Sequence, residues 1–283
     1  MKKIKLTIIT VNYNAKELVK ELVSSVKNSK TDFGIKHIVV ENSDEDLSDI
    51  SGITYLKSGS NAGFSRGNNL GVTKAEGEYV WFLNPDTTVD PDTINFMIQY
   101  MDGHQEVGVA TPKVVLLNGT LDKNCRRVFP TPLNSLKRLL GLSGYFVLTP
   151  ENEEVEVDSI MGSSLLVRKS IGDKIGWWDE DYFMNGEDLE FCWQVKALGY
   201  KVMYVPDVVV HHHHGASTGL KKTSQHLTKA TNEVRIRTIL GSTNAMRIFY
   251  KKHYEKKNNF LINNLIYFGI WCLEQIRIIK IRI

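Results

Sequence analysis

The sequence predicts an α/β fold: a mainly parallel sheet with helices on both faces, followed by a helical C-terminal region. Three observations carry this. Short β-branched and aromatic runs at residues 5–11, 36–41 and 79–83 lack strict alternation, as strands buried on both faces do. Helical patterns lie between them, which gives a β-α-β-α-β order. The 283 residues, 42% hydrophobic and 24% charged with only 7 Pro, have ordinary globular composition and exclude collagen-like, low-complexity and largely disordered chains.

Residues 4–11 follow a basic start but form too short an apolar run before Asn12 for a signal peptide, so they read as the first strand. Residues 16–27 then place Leu18, Leu22, Val23 and Val26 on one helical face, and a shorter helix at 67–75 leads to Glu76-Gly77. Asp90-Pro91-Asp92 looks like an Asp N-cap with Pro at the first helical position, opening a helix to about Asp102. A further strand is expected within 107–117. Residues 118–150, with Pro130, Pro132 and Pro150, read as a long excursion with one short helix near 133–140, of the kind that shapes substrate pockets. After the 155–167 segment come a helix at 187–198, stopped by Gly199, and a strand at 201–205.

The tail reads as helix from about Ser224 to Tyr254. Beyond Lys256-Lys257-Asn258-Asn259 lies an apolar stretch, 260–273, interrupted by Asn263 and Asn264. It is too short and too polar to span a bilayer, and suits either an in-plane interfacial helix or a helix packed on the body. Charge follows the same division: residues 220–283 carry 13 Lys and Arg against Glu233, Glu255 and Glu274, a net +10, which leaves −7 on the rest. A basic tail on an acidic body points to an anionic surface. No recognition motif accompanies the charge, so nucleic acid is not the expected partner. The expected division is a body at 1–222 and a basic, amphipathic helical region at 223–283. Cys125, Cys192 and Cys272 lie far apart, which supports neither a disulfide scaffold nor a thiolate zinc site and makes a reducing compartment the default.

Ligands of open α/β sheets bind beyond the carboxyl ends of the strands. There the sequence places Asn12-Tyr13-Asn14, Glu41-Asn42-Ser43-Asp44 and Asn84-Pro85-Asp86-Thr87, three polar clusters converging on one crevice. The Gly- and Asn-rich run from Asn61 to Asn69 offers backbone N–H groups and the Arg66 guanidinium to an anion, or is an ordinary turn. Asp86 ends an apolar strand, where a carboxylate can hold a divalent cation together with a diphosphate; an Asn-Pro-Asp turn is the plainer role. Glu187-Asp188 follows an aromatic segment at a helix start, a setting for a general base or for simple first-turn acids. His211–His214 in extended backbone would alternate faces, so at most two serve one site, and an imidazole joining Asp86 at a metal is one use for them.

Together these residues resemble the family 2 glycosyltransferases of the GT-A fold, especially the bacterial rhamnosyltransferase-like branch. The resemblance runs through TIITVNYN, IVVENSD, NAGFSRGNNLGVTKAEGEYVWFLNPDTTVDPD and MGSSLLVRKSIGDKIGWWDEDYFMNGEDLEFCWQVKALGYKVMYVPDVVVHHHHGAS, from about residue 4 to 218. It implies a nucleotide-diphospho-sugar donor (dTDP-rhamnose or a UDP-hexose), a divalent cation (Mg²⁺ or Mn²⁺), and inversion at the anomeric carbon. The acceptor would be a hydroxyl of a glycan or lipid-linked molecule in cell-surface polysaccharide synthesis. By position, Thr10, Val11, Tyr13, Glu41 and Arg66 would surround the base and ribose. Asn61, Gly63, Asn68, Asn84 and Asp86 would complete the donor side. Asp188 would be the catalytic base, Trp178 and Glu187 would lie on the acceptor side, and the His-x-x-Gly-x-Ser element at 212–217 would make His212 a metal ligand beside Asp86. Two positions depart from the family pattern: Asn84 replaces the first Asp of Asp-x-Asp, and Glu41 stands where an Asp is more usual. The implied location is cytoplasmic, peripheral on the inner face of the cell membrane, with a homodimer also open. The competing readings are a sugar-phosphate nucleotidyltransferase, whose Gly-rich, Arg- or Lys-bearing N-terminal loop is lacking here, and a catalytically silent nucleotide- or membrane-binding protein.

Overall fold

The computed structural model describes residues 2–132, 134–135, 146–213 and 231–282. Nine strands among them form one sheet: β1 (Ile4–Asn12), β2 (Gly34–Glu41), β3 (Thr54–Lys57), β4 (Tyr79–Leu83), β5 (Thr87–Val89), β6 (Val107–Leu116), β7 (Val155–Glu156), β8 (Ser164–Arg168) and β9 (Lys201–His212). The order is β3-β2-β1-β4-β8-β6-β9-β5, with β7 also on β9. The first four positions are parallel, as the sequence predicts. The rest is mixed: β8 runs antiparallel to both β4 and β6, and β6 is parallel to β9.

The helices are α1 (Lys16–Lys27), α2 (Gly63–Val72), α3 (Thr93–Gly103), α4 (Lys169–Ile175), α5 (Glu187–Ala197), α6 (Asn232–His253) and α7 (Phe260–Arg282). They cover both faces of the sheet, which explains the apolar strand runs. In β4, Val80 and Phe82 enter one core cluster while Trp81 and Leu83 enter the other. The first cluster is shared with Phe191 and Val195 of α5, and the second with Ile94, Met97 and Ile98 of α3. Cys125 and Cys192 are buried in the first cluster, and burial pushes both thiols up to about 12; Cys272 on α7 is only partly covered.

Several boundaries differ from the sequence reading, each for a physical reason. α2 starts at Gly63, so most of the Gly- and Asn-rich run is helix rather than loop. Its glycines serve close packing: a Cβ at Gly67 would meet Val11 Cγ1 at 2.9 Å, and one at Gly71 would meet Ile9 Cγ2 at 2.6 Å. α3 starts at Thr93 with Asp92 at its N-cap and no side-chain cap; Asp90 contributes its carbonyl to Thr93 N–H. The strand expected at 201–205 continues to His212, which brings the histidines into the sheet. The tail helix is described from Asn232, while the short helix expected near 133–140 and the tail before 231 fall largely outside the described residues.

The tail folds into a helical hairpin. α6 docks on α5: Phe249 packs against Trp193 and Phe129, and His253 Nε2 pairs with Glu190 Oε2 at 2.7 Å in a buried contact. Although burial opposes it, hydrogen bonding to His253 and Gln194 holds the Glu190 carboxyl below the usual range. α7 returns along α6, fixed where Glu274 accepts from Thr243 and Arg247 and where Tyr250 donates to Asn263. Its other side is open, with Leu261, Leu265, Phe268, Ile276 and Ile279 exposed at spacings of three, four and eight residues, one stripe of the helix. Among the described residues no helix is long and apolar enough to cross a membrane.

Candidate active site

The ends of β1 and β2 meet, and their first task is to hold one another. Asn12 Nδ2 donates to Glu41 and Glu45, Ser43 N–H donates to Glu41 Oε1 at 2.6 Å, and Asn42 Oδ1 accepts from Ala62 N–H at 2.9 Å. Glu41 is therefore buried with both carboxylate oxygens occupied. Asn61 Oδ1 accepts from Gly63 N–H, and Gly63 has φ +83° where a Cβ would strike Phe183 O at 2.6 Å. Glycine alone suits that position. Tyr13 and Arg66 are exposed, with Arg66 Nε 3.2 Å from Glu180.

Three expected contacts are placed differently. Thr10 is fully buried with Oγ1 3.1 Å from His37 Nε2, so its hydroxyl does not face the crevice. Asn68 is also buried and donates back to Phe64 O, one turn earlier in α2. Trp178 packs among Phe64, Phe82 and Phe191 at centroid distances of 5.2, 4.9 and 4.7 Å, so it backs the site instead of offering an exposed platform.

Asp86 and His212 are brought together by pairing. β5 runs antiparallel to β9 with Thr87 opposite His212, and His213 N–H donates to Asp86 O at 2.8 Å. His212 Nε2 lies 3.4 Å from Asp86 Oδ1, and both side chains are buried. Although burial opposes it, contacts with Asp122 and Asp86 hold His212 up to about 9. The alternation expected of the histidines holds at two positions: His211 turns out to Asp90 at 3.0 Å and His212 turns in. His214 lies outside the described residues.

Asp188 sits in the first turn of α5 behind Gly186, whose φ is +88°. Its Oδ2 accepts from Arg127 Nη2 at 2.8 Å and from Gly162 N–H at 3.2 Å, and its Oδ1 accepts from Leu189 N–H at 2.8 Å. Neighbouring Glu187 is buried, and among the described residues its Oε2 has no hydrogen-bond partner. Burial first, and then the charge of Asp188, push Glu187 up to about 8. The two motifs are joined by adjacent residues: Asn84 N–H donates to Ser163 O, and Gly162 N–H donates to Asp188. The antiparallel entry of β8 beside β4 thus seats Asp188 next to the Asn84-Pro85-Asp86 turn.

Residues 7–146 match the family model described as glycosyl transferase family 2, and residues 79–228 match glycosyl transferase family group 2, over half of the chain. The chain belongs to the family 2 glycosyltransferases.

Among similar curated proteins, the low-salt glycan biosynthesis hexosyltransferase Agl10 of Haloferax volcanii is 29% identical over 68% of this glycosyltransferase and 61% of its own length. Rhamnosyltransferase WbbL of Escherichia coli K12 is 27% identical over 85% and 97%. Poly-β-1,6-N-acetyl-D-glucosamine synthase of Staphylococcus aureus is 24% identical over 71% and 48%, so this chain spans about half to three fifths of the length of Agl10 and the synthase. Solved structures share the fold: GalNAc-T7 with UDP, GalNAc and Mn²⁺ has TM-score 0.58 at 14% identity over 74% of this chain and 44% of its own. S. aureus TarS 1–349 with UDP has 0.53 at 16% over 91% and 74%. The fold is the expected GT-A type.

Four residues of the glycosyltransferase's site escape sequence reasoning. Arg127 and Asp122 lie in the excursion, where nothing in the local pattern marks them. Gly162 acts through its backbone. Asn69 clamps α2 to the aromatic segment, donating to Trp178 O at 2.8 Å and accepting from Trp178 N–H at 3.0 Å. A polar residue on the inner side of α2 is the only signal that would have found it.

Proposed function

We propose that the chain transfers a sugar, with inversion, from a nucleotide-diphospho-sugar to a hydroxyl of a glycan or lipid-linked acceptor in cell-surface polysaccharide synthesis. The observation that carries this reading is the link through Ser163 and Gly162 that seats Asp188 beside the Asp86 turn at the carboxyl ends of the strands. In this scheme Asp188 takes the acceptor hydroxyl proton as the oxygen bonds to the anomeric carbon and the bond to the diphosphate breaks. Arg127 and the Gly162 N–H hold the carboxylate in place. The exposed Tyr13, Asn61 and Arg66 are available to the nucleotide, with Val11, Glu41 and Gly63 shaping the crevice beneath them.

The site chemistry fits a hard divalent cation, Mg²⁺ or Mn²⁺. A carboxylate and an imidazole nitrogen face each other across 3.4 Å in a buried setting, and Asp86 and His212 would hold the ion. When bound there, the cation supplies neutralisation of the charge gathered on the leaving diphosphate. Among the described residues no group of three or more His, Cys, Asp or Glu is arranged to hold a metal alone, so the diphosphate oxygens would complete its shell. The rhamnosyl and hexosyl activities named for WbbL and Agl10 support dTDP-rhamnose and UDP-hexoses as the donors to try first.

The exposed stripe of α7, with the +10 charge of the tail, supports attachment to an anionic membrane in this scheme, at the cytoplasmic leaflet where nucleotide sugars are available. Residues 1–222 would form the catalytic unit and 223–283 the attachment. Incubation with a panel of nucleotide sugars, with and without chelator, tests the reading. Nucleoside diphosphate should be released from one donor class, stop with chelator and return with Mn²⁺ or Mg²⁺. Release from no donor, or full activity after exhaustive chelation, would refute the activity or the metal respectively.

A further inference from the structure

His212 is flanked on both ring nitrogens. Nε2 faces Asp86, and Nδ1 lies 3.3 Å from Asp122 Oδ2, with all three side chains at most 5% exposed. Asp122 reaches this position through a tight hairpin after β6: Leu116 N–H donates to Thr120 O, Gly119 N–H donates to Leu116 O, and Val115 bridges Leu121. Leu116 is also the register partner of His212 in β9, so the hairpin folds back beneath the histidine. The Asp122 backbone is pinned by its N–H to Val114 O. Its Oδ1 accepts from Asn124 N–H at 3.1 Å and from Asn124 Nδ2 at 2.7 Å as the cap of the 3₁₀ turn Lys123–Cys125. With Oδ1 committed to the turn, Oδ2 is left pointing at the imidazole.

We propose that Asp122 is a positioning residue for the cation site: by binding His212 at Nδ1 it fixes the ring with Nε2 turned toward Asp86, where the cation would sit. This rests on the reading of Asp86 and His212 as metal ligands. A carboxylate on the far nitrogen of a metal-bound histidine sets the tautomer and makes the ligating nitrogen more basic, and its loss typically costs 10- to 100-fold in metal affinity. Asp122 is on the wrong side of the ring to share the ion itself. The excursion therefore contributes to the donor site from below, although its sequence carries no donor motif.

The test is Mn²⁺ binding in the presence of UDP, followed by the free-Mn²⁺ EPR signal, with the imidazole nitrogen coupling of bound Mn²⁺ read by pulsed EPR. Asp122→Ala should weaken Mn²⁺ about 10- to 100-fold and alter or abolish the nitrogen coupling. Asp122→Asn, which keeps an acceptor but loses the charge, should fall between Asp122→Ala and wild type. Asp86→Asn serves as the ligand control. Should Asp122→Ala fail to fold in a thermal melt, Asp122→Asn decides. Mn²⁺ affinity within twofold of wild type with unchanged nitrogen coupling, while Asp86→Asn loses binding, would reduce Asp122 to a pin for the hairpin and overturn the proposal. Absence of Mn²⁺ binding by wild type would overturn the metal reading and this inference with it.

Discussion

The end of β4 and the start of α5 each bury a carboxylate, yet they compensate it in opposite ways. At the strand end, Asp86 faces an imidazole whose charge depends on a proton, and that imidazole is clamped from behind by Asp122. At the helix start, Asp188 faces a guanidinium, which does not lose its proton, together with backbone N–H groups and the positive end of the helix dipole. The first arrangement suits exchange of one positive group for another; the second surrounds its carboxylate with donors that do not exchange. Glu187 sharpens the contrast. It shares the helix start with Asp188 but receives none of these donors at Oε2, and it is pushed toward the neutral acid.

The largest expected effect breaks the helix-start side. Asp188→Asn keeps the shape and removes the proton acceptor, so turnover should fall by about 10²- to 10⁴-fold while donor affinity, measured by calorimetry, changes little. Near-wild-type turnover would move the base elsewhere. Next is the guanidinium. Arg127→Met leaves a buried charge unpaired and should destabilise the fold by about 3–5 kcal/mol in urea melts. Adding Asp188→Asn should recover part of that loss, and strict additivity would mean that the pair is not coupled.

Glu187 supplies a smaller effect with a sign set by pH. Its value in the folded protein is raised from 4.5 to about 8, so folding favours the protonated form. Its contribution is complete below about 4.5 and is lost as pH rises through about 8. Glu187→Gln removes that loss and should gain up to a few kcal/mol over wild type at pH 9 but little at pH 4. An identical difference at both pH values would deny the raised value. The smallest effect should leave both ends untouched. Deleting residues 258–283 should abolish flotation with anionic vesicles, where each basic residue near the surface adds about 1 kcal/mol of salt-screened attraction, and should retain activity on a small soluble acceptor. Equal flotation of full-length and truncated protein would return α7 to a packing role.

The half of the fold that was legible is the half built from unbroken apolar strands and helically spaced runs. Val80, Trp81 and Phe82 announce a strand buried on both faces because both core clusters need them, and Asp86 and Asp188 stand out as candidates because each lies close to the end of a regular element. Irregular pairing hid the rest. Arg127 reaches Asp188 from isolated bridges to Ser159 and Phe146, which have no period to detect. β5 has only three residues beside a Pro-containing turn and looks like loop, although it is what pairs Asp86's turn with the histidines. The helix at 67–75 is legible but its start at Gly63 is not, because residues 63–66 have the composition of a turn.

The distribution of thiols has a practical consequence. Cys125 and Cys192 are sealed in the core with their ionisation suppressed, whereas Cys272 alone is partly open and lies on α7 in step with Leu261, Leu265, Phe268 and Ile276. A solvatochromic maleimide added to the unmutated enzyme would therefore label one place, on the helix whose surroundings matter most. Its emission would report whether that helix meets water, lipid or another protein surface, with no engineered cysteine and no disturbance of the regions around Asp86 and Asp188.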